Sequence, residues 1–260
     1  MVLTAVLARP MMRSIVVPLR QLGMQGIRLG FESCPTLVKL HCAEARIERD
    51  GAGGSGGEGG PVWSVRVLAG SAAPSSIGSR FEIGLALAQY FGKRIGSLVG
   101  DDEWNICDPS PGWPGVRLDT IAAAAPSARI VRLKIWTFQS INLAHVRSAL
   151  AIWRSLEHLS LDIARPSTSL LAAMIKSSAS VIELGDRTSR IYDHVWYADA
   201  EAVITVLRQQ SAAKLRVLRL PGIGSKPARG YGRTEPWHED VKARVVAAAR
   251  ETGITLDLDS

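Results

Sequence analysis

Three places in this chain combine residue types that could do chemistry. Cys34, His41 and Cys42 offer thiolate and imidazole ligands of the kind zinc prefers. A zinc ion wants four ligands, usually in paired short spacings, and no second pair stands elsewhere in the sequence. Gly53, Ser55 and Gly57 match G-x-S-x-G, the turn that exposes a nucleophilic serine. That turn needs a strand before it and a helix after it, and the surrounding Gly51–Gly60 tract can supply neither. Gly222, Gly224 and Lys226 look like a phosphate loop but lack its G-x-x-x-x-G-K-[ST] spacing, and Pro227 disfavours helical geometry at Lys226. The expectation is therefore no catalytic residue, no metal site and no cofactor: a protein that is not an enzyme. The acidic run Asp101–Glu103 reads as a solvated loop. Trp104, Trp113 and Trp237 read as loop residues, and Trp153 as core.

What remains is electrostatic. The 260 residues carry a formal net charge of +7 and a sequence pI near 9.7, which favours acidic partners in general. With 47% apolar and 21% charged residues, most of the chain can bury a core. No apolar run approaches the ~18–20 residues that a membrane span requires, so no membrane role is expected. Three cysteines give no disulfide framework, and reduced thiols predict a cytoplasmic or nuclear setting. The N-terminal arginines Arg9, Arg13, Arg20 and Arg28 suggest mitochondrial import as a minor alternative, against which Pro10 and Pro18 interrupt any long amphipathic helix.

The elements that must position these charges show internal repetition. Leu156, Leu159 and Leu161 stand at positions one, four and six of a short segment, and the spacing recurs at Leu215, Leu218, Leu220 and at Ile130, Leu133, Ile135. Weaker copies place their fourth positions at Ile15, Leu40, Val65, Leu98, Leu184 and Leu256. Between them, helical periodicity is expected over 79–91, 142–154, 167–177, 199–209 and 239–252. Asn142 would cap the second of these, Pro166 precedes the third, and Gly253 follows the last. Strand, loop, helix and strand in this order predict an α/β fold: a leucine-rich-repeat solenoid with short parallel strands on its concave side and helices on its convex side. A doubly wound α/β domain is the alternative, but its doubly covered strands favour unbroken valine and isoleucine runs. Residues 1–260 read as one such domain, with a disordered glycine-rich insertion at 51–60.

The strand Cys34–Cys42 and the segment Leu156–Leu161, each followed by a helical return, resemble the irregular repeats of fungal F-box/leucine-rich-repeat proteins. The resemblance spans roughly residues 12–260, without a recognisable F-box ahead of the repeats. It implies protein recognition, in the family as the substrate-binding part of a ubiquitin ligase. The family's asparagine or cysteine beyond position six is replaced here by residues such as Ala45, Gly70 and Ala164. That replacement implies an irregular array with inserted loops.

In such a solenoid the polar strand positions form the binding face. Positions three and five bring forward Lys39, His41, Arg66, Arg132, Lys134, His158 and Arg219, with Glu183 as a lone carboxylate among them. A basic face binding an acidic protein or peptide is predicted. Nucleic-acid binding is the alternative, supported by net charge and by Lys226, Arg229, Tyr231 and Arg233 in one loop.

Overall fold

A computed structural model describes residues 14–16, 27, 37–42, 45–49, 62–68, 77–106, 115–136, 141–163, 167–185, 200–209, 214–220 and 237–258. Cys34, Cys107, Trp113, the 51–60 tract and the 222–233 loop lie outside them. The described strands are β1 (Ser14–Val16), β2 (Lys39–His41), β3 (Ala45–Arg49), β4 (Trp63–Val67), β5 (Ile95–Asn105), β6 (Ile130–Trp136), β7 (His158–Ile163), β8 (Val181–Gly185), β9 (Val217–Arg219) and β10 (Thr255–Asp257). The described helices are α1 (Ile77–Phe91), α2 (Leu118–Ala124), α3 (Leu143–Ile152), α4 (Thr168–Ile175), α5 (Ala200–Arg208) and α6 (Glu239–Glu251).

All ten strands join one open sheet whose spatial order is the chain order, β1 through β10. Pairing is parallel throughout except around β3, which runs antiparallel to both β2 and β4. A doubly wound sheet reverses its strand order at a switch point and carries helices on both faces. The described strands show no reversal, and each helix from α1 to α6 packs against the next, as one layer does. Strand burial agrees with this. Along β7, Leu159, Leu161 and Ile163 are buried while His158, Ser160 and Asp162 stay half-exposed. Among the described residues, helices therefore cover one face of the sheet and leave the other open.

The helices form where the periodicity places them, with ends set by caps. Asn142 Oδ1 accepts the Ala144 N–H at 3.0 Å, and Ser167 Oγ accepts the Leu170 N–H at 3.1 Å. Each satisfies a donor that the first helical turn would leave unpaired. Gly253, at φ 74°, ends α6 in the left-handed region that favours glycine. The sequence reading lacks α2, too short to show a periodicity, β3, an extra strand between the copies centred on Leu40 and Val65, and a 3-10 turn at Gly92–Arg94.

The core ladder runs Leu98, Val131, Leu159, Ile182, Leu218 and Leu256 across β5 to β10. The fourth positions expected at Leu133 and Leu184 thus lie two residues too late. The reason is that fully buried alanines, Ala128 and Ala179, fill position one, where Leu156 and Leu215 stand just ahead of β7 and β9. Alanine gives little hydrophobic signal, so half-buried Ile130 and Val181 look like the anchors instead. A two-residue slip preserves the alternation of faces, so the expected polar positions stay on the open side.

One strand, β5, departs from the ladder chemically. Gly100 pairs with Leu133 and holds the position that Leu133, Leu161 and Leu184 fill in the following strands. The indole of Trp104 fills that space: a Cβ added at Gly100 would overlap Trp104 Nε1. The same ring lies over α1, where a Cβ on Gly84 would come within 2.5 Å of Trp104 Cζ2. Trp104 is therefore a strand residue of the core, 1% exposed, and not the loop residue expected. The 101–103 run likewise belongs to β5, at a bulge between Gly100 and Glu103. Trp153 is buried as expected, and its Nε1–H donates to the Ala125 carbonyl at 3.0 Å.

Candidate functional site

The open sheet face carries every one of the predicted binding residues. Strand register lays one row across it in the order His41, Arg46, Arg66, Val99, Arg132, Ser160, Glu183, Arg219, Asp257. His158 stands on the row toward the strand starts, and Lys134 on the row toward the strand ends, beside Asp162. Across β4 to β8 this face dips into a hollow of about 280 Å³. Arg66, Arg132 and Lys134 line it together with Asp101, Asp162 and Glu183. Three cations face three carboxylates, so the hollow is mixed in sign and not purely basic.

The expected basic face is corrected further by ion pairs that only the three-dimensional pairing creates. Glu48, on the unforeseen β3, receives Lys39 Nζ at 3.1 Å and His41 Nε2 at 2.6 Å. The His41 hydrogen bond, with Lys39 beside it, holds the Glu48 carboxyl below its ordinary range. Arg66 donates through Nε to Asp101 at 2.6 Å, a carboxylate that the β5 bulge turns toward it. Arg219 lies between Glu183, at 3.9 Å, and Asp257, at 3.8 Å. Four of the seven predicted residues are thereby engaged with carboxylates.

Arg132, Lys134 and His158 are different. The exposed Arg132 guanidinium donates to His158 Nδ1 at 3.1 Å. A guanidinium has only donors, so Nδ1 accepts and the imidazole proton sits on Nε2. That Nε2 is buried and has no hydrogen-bond partner among the described residues. Burial, followed by the positive charges of Arg132 and Arg219, pushes the His158 pKa down to about 4. The ring is neutral at physiological pH and leaves the Arg132 charge unopposed. Lys134 makes no ion pair among the described residues.

The metal reading of the sequence separates as the strand alternation requires. Cys42 is buried, with its Sγ donating to the Ala45 carbonyl at 3.4 Å, whereas His41 faces the open side. Among the described residues no group of three His, Cys, Asp or Glu side chains could hold a metal ion. No helix among them is long and apolar enough to cross a membrane. Compared with known protein families, curated proteins and solved structures, the chain matches none.

Proposed function

We propose that this chain is a non-catalytic recognition scaffold, an irregular solenoid of leucine-rich-repeat type, that seats an acidic segment of a protein partner on its open sheet face. The observation that carries the reading is the pair Arg132 and Lys134. Two residues apart on β6, they share one face at the centre of an uncovered sheet, and neither has a carboxylate bound to it among the described residues. A partner carboxylate placed there meets two unneutralised cations without first displacing an internal acid. A bidentate guanidinium contact gives such a site direction as well as charge.

The engaged residues narrow the contact. Lys39, Arg66 and Arg219, with the His41 hydrogen bond, contribute shape and charge balance at the edges, and exposed pairs of this kind each contribute only about 0–1 kcal/mol. The same balance weighs against nucleic acid, whose backbone affinity scales with the cations free to neutralise phosphates.

The test is affinity purification from the native cell with the wild-type chain and with Arg132→Glu/Lys134→Glu. The expected result is loss of a co-purifying acidic protein from the double variant, at an unchanged melting temperature. Equal recovery by both chains overturns the reading. Binding of arbitrary RNA, steeply weakened by salt, would instead support the nucleic-acid alternative.

A further inference from the structure

The opposite side of the molecule holds a second charged surface, built differently. Arg147, Leu150, Ala151 and Arg154 follow one another at i, i+3, i+4 and i+7 along α3 and its C-terminal turn. Ser169, Ala172, Ala173 and Lys176 repeat the same spacing along α4. Side chains at these offsets lie along one helix face. The two stripes flank a groove of about 640 Å³, on the layer turned away from the open sheet face.

Among the described residues, every ionisable side chain lining this groove is a cation: Arg147, Arg154 and Lys176. Residues 141–156 and 167–182, which contain both helices, include no aspartate or glutamate. None of the three cations makes an ion pair among the described residues. The neighbouring helices show the contrast. Arg208 on α5 pairs with Glu251 at 3.1 Å, Lys242 on α6 with Glu239 at 2.9 Å, and Arg244 with Glu201. Between the cations the described walls carry the apolar Leu150 and the small side chains of Ala151, Ser169, Ala172 and Ala173. Cations near helix C-termini also complement the helix dipole, and Arg154 and Lys176 stand there. Arg147, in the middle of α3, does not, and it faces the same groove.

We propose that this groove is a docking site for an acidic amphipathic helix of a protein partner, distinct from the open sheet face. The small side chains of the walls let a third helix approach closely, and its apolar anchors at i, i+3, i+4 and i+7 match the stripe spacing. Carboxylates flanking those anchors reach Arg147 on one side and Arg154 and Lys176 further along. Among the described residues no aromatic side chain lines the groove to stack a base, so the site suits a helix better than a single-stranded nucleic acid.

The test uses a fluorescein-labelled 20-residue peptide designed as a helix, with leucines on one face and glutamates elsewhere, titrated by fluorescence anisotropy against the full chain. A second peptide of equal charge carries two prolines that forbid the helix, and a 20-nucleotide oligouridine is the third probe. The helical peptide is expected to bind at least tenfold more tightly than the proline peptide. Arg147→Glu/Arg154→Glu/Lys176→Glu and, separately, Ala151→Glu should each weaken it at least tenfold. Arg147→Lys should retain most binding, and Arg132→Glu/Lys134→Glu should leave it unchanged. All substituted positions are exposed apart from half-buried Lys134, and circular dichroism checks that each variant folds. Equal binding of the two peptides, preference for oligouridine, or indifference to the groove substitutions overturns the proposal.

Discussion

If the Trp104 ring occupies the position-six space of its strand, tryptophan and glycine at 104 and 100 must compensate one another. Trp104→Ala empties a fully buried site, at a cost of about 3–5 kcal/mol for an aromatic in a core. Gly100→Leu alone drives its Cβ into the indole nitrogen and adds a full side chain beyond it. Overpacking of that kind costs at least about 1–3 kcal/mol. In the double variant the new leucine meets no indole and aligns with Leu133, its register partner on β6. It recovers part of the buried area and also removes the indole N–H, which has no hydrogen-bond partner among the described residues. The double variant should therefore be more stable than the sum of the single effects predicts, by about 1–3 kcal/mol of favourable coupling. Urea unfolding followed by far-ultraviolet circular dichroism measures all four corners of the cycle. Additivity within about 0.5 kcal/mol would refute the substitution of one side chain for the other.

Three further outcomes follow from the same physics. His158, neutral in the folded protein with its pKa lowered to about 4 from 6.5, takes up a proton more readily when unfolded. Its contribution to stability is thus complete above pH 6.5 and is lost as the pH falls from 6.5 toward 4; after discounting for its partial exposure it amounts to about 1–2 kcal/mol. His158→Gln should flatten the pH dependence of the unfolding free energy across that window, and an unchanged slope would contradict the assignment. Asn142→Ala removes the α3 cap and should cost about 1 kcal/mol in urea unfolding, whereas Asn142→Asp should cost little. Leu159→Ala, at the centre of the ladder, should cost about 2–5 kcal/mol, and a loss below 1 kcal/mol would show that the ladder is not the core.

The sequence made the alternation of elements legible because a short strand and an amphipathic helix leave distinct periods. Asn142 marks a helix start chemically and is a cap in the structure, where Ser167 also caps the helix that Pro166 precedes. Register was less legible, since buried alanines at 128 and 179 carry anchoring roles without an anchoring signal. Strand alternation made it legible that these polar side chains share one face, but not which carboxylates come to lie beside them. Lys39 and Arg66 are paired with Glu48 and Asp101, and His41 hydrogen-bonds Glu48; these carboxylates belong to an unforeseen antiparallel strand and to a bulge. Neither leaves a period in the sequence, and the pairs form only when neighbouring strands come together. The groove between α3 and α4 was overlooked although its signal is present: two consecutive helical segments with cations and no carboxylate.

The claim that the open sheet face is the recognition surface is tested most directly by site-specific photocrosslinking in the native cell. A photoreactive residue at Ser160, beside Arg132 in register on the open face, is compared with one at Ala123, exposed on α2. The account predicts a crosslinked acidic protein from position 160 that disappears in the Arg132→Glu/Lys134→Glu background. Equal crosslinking from position 123, or persistence of the position 160 product after charge reversal, would contradict it.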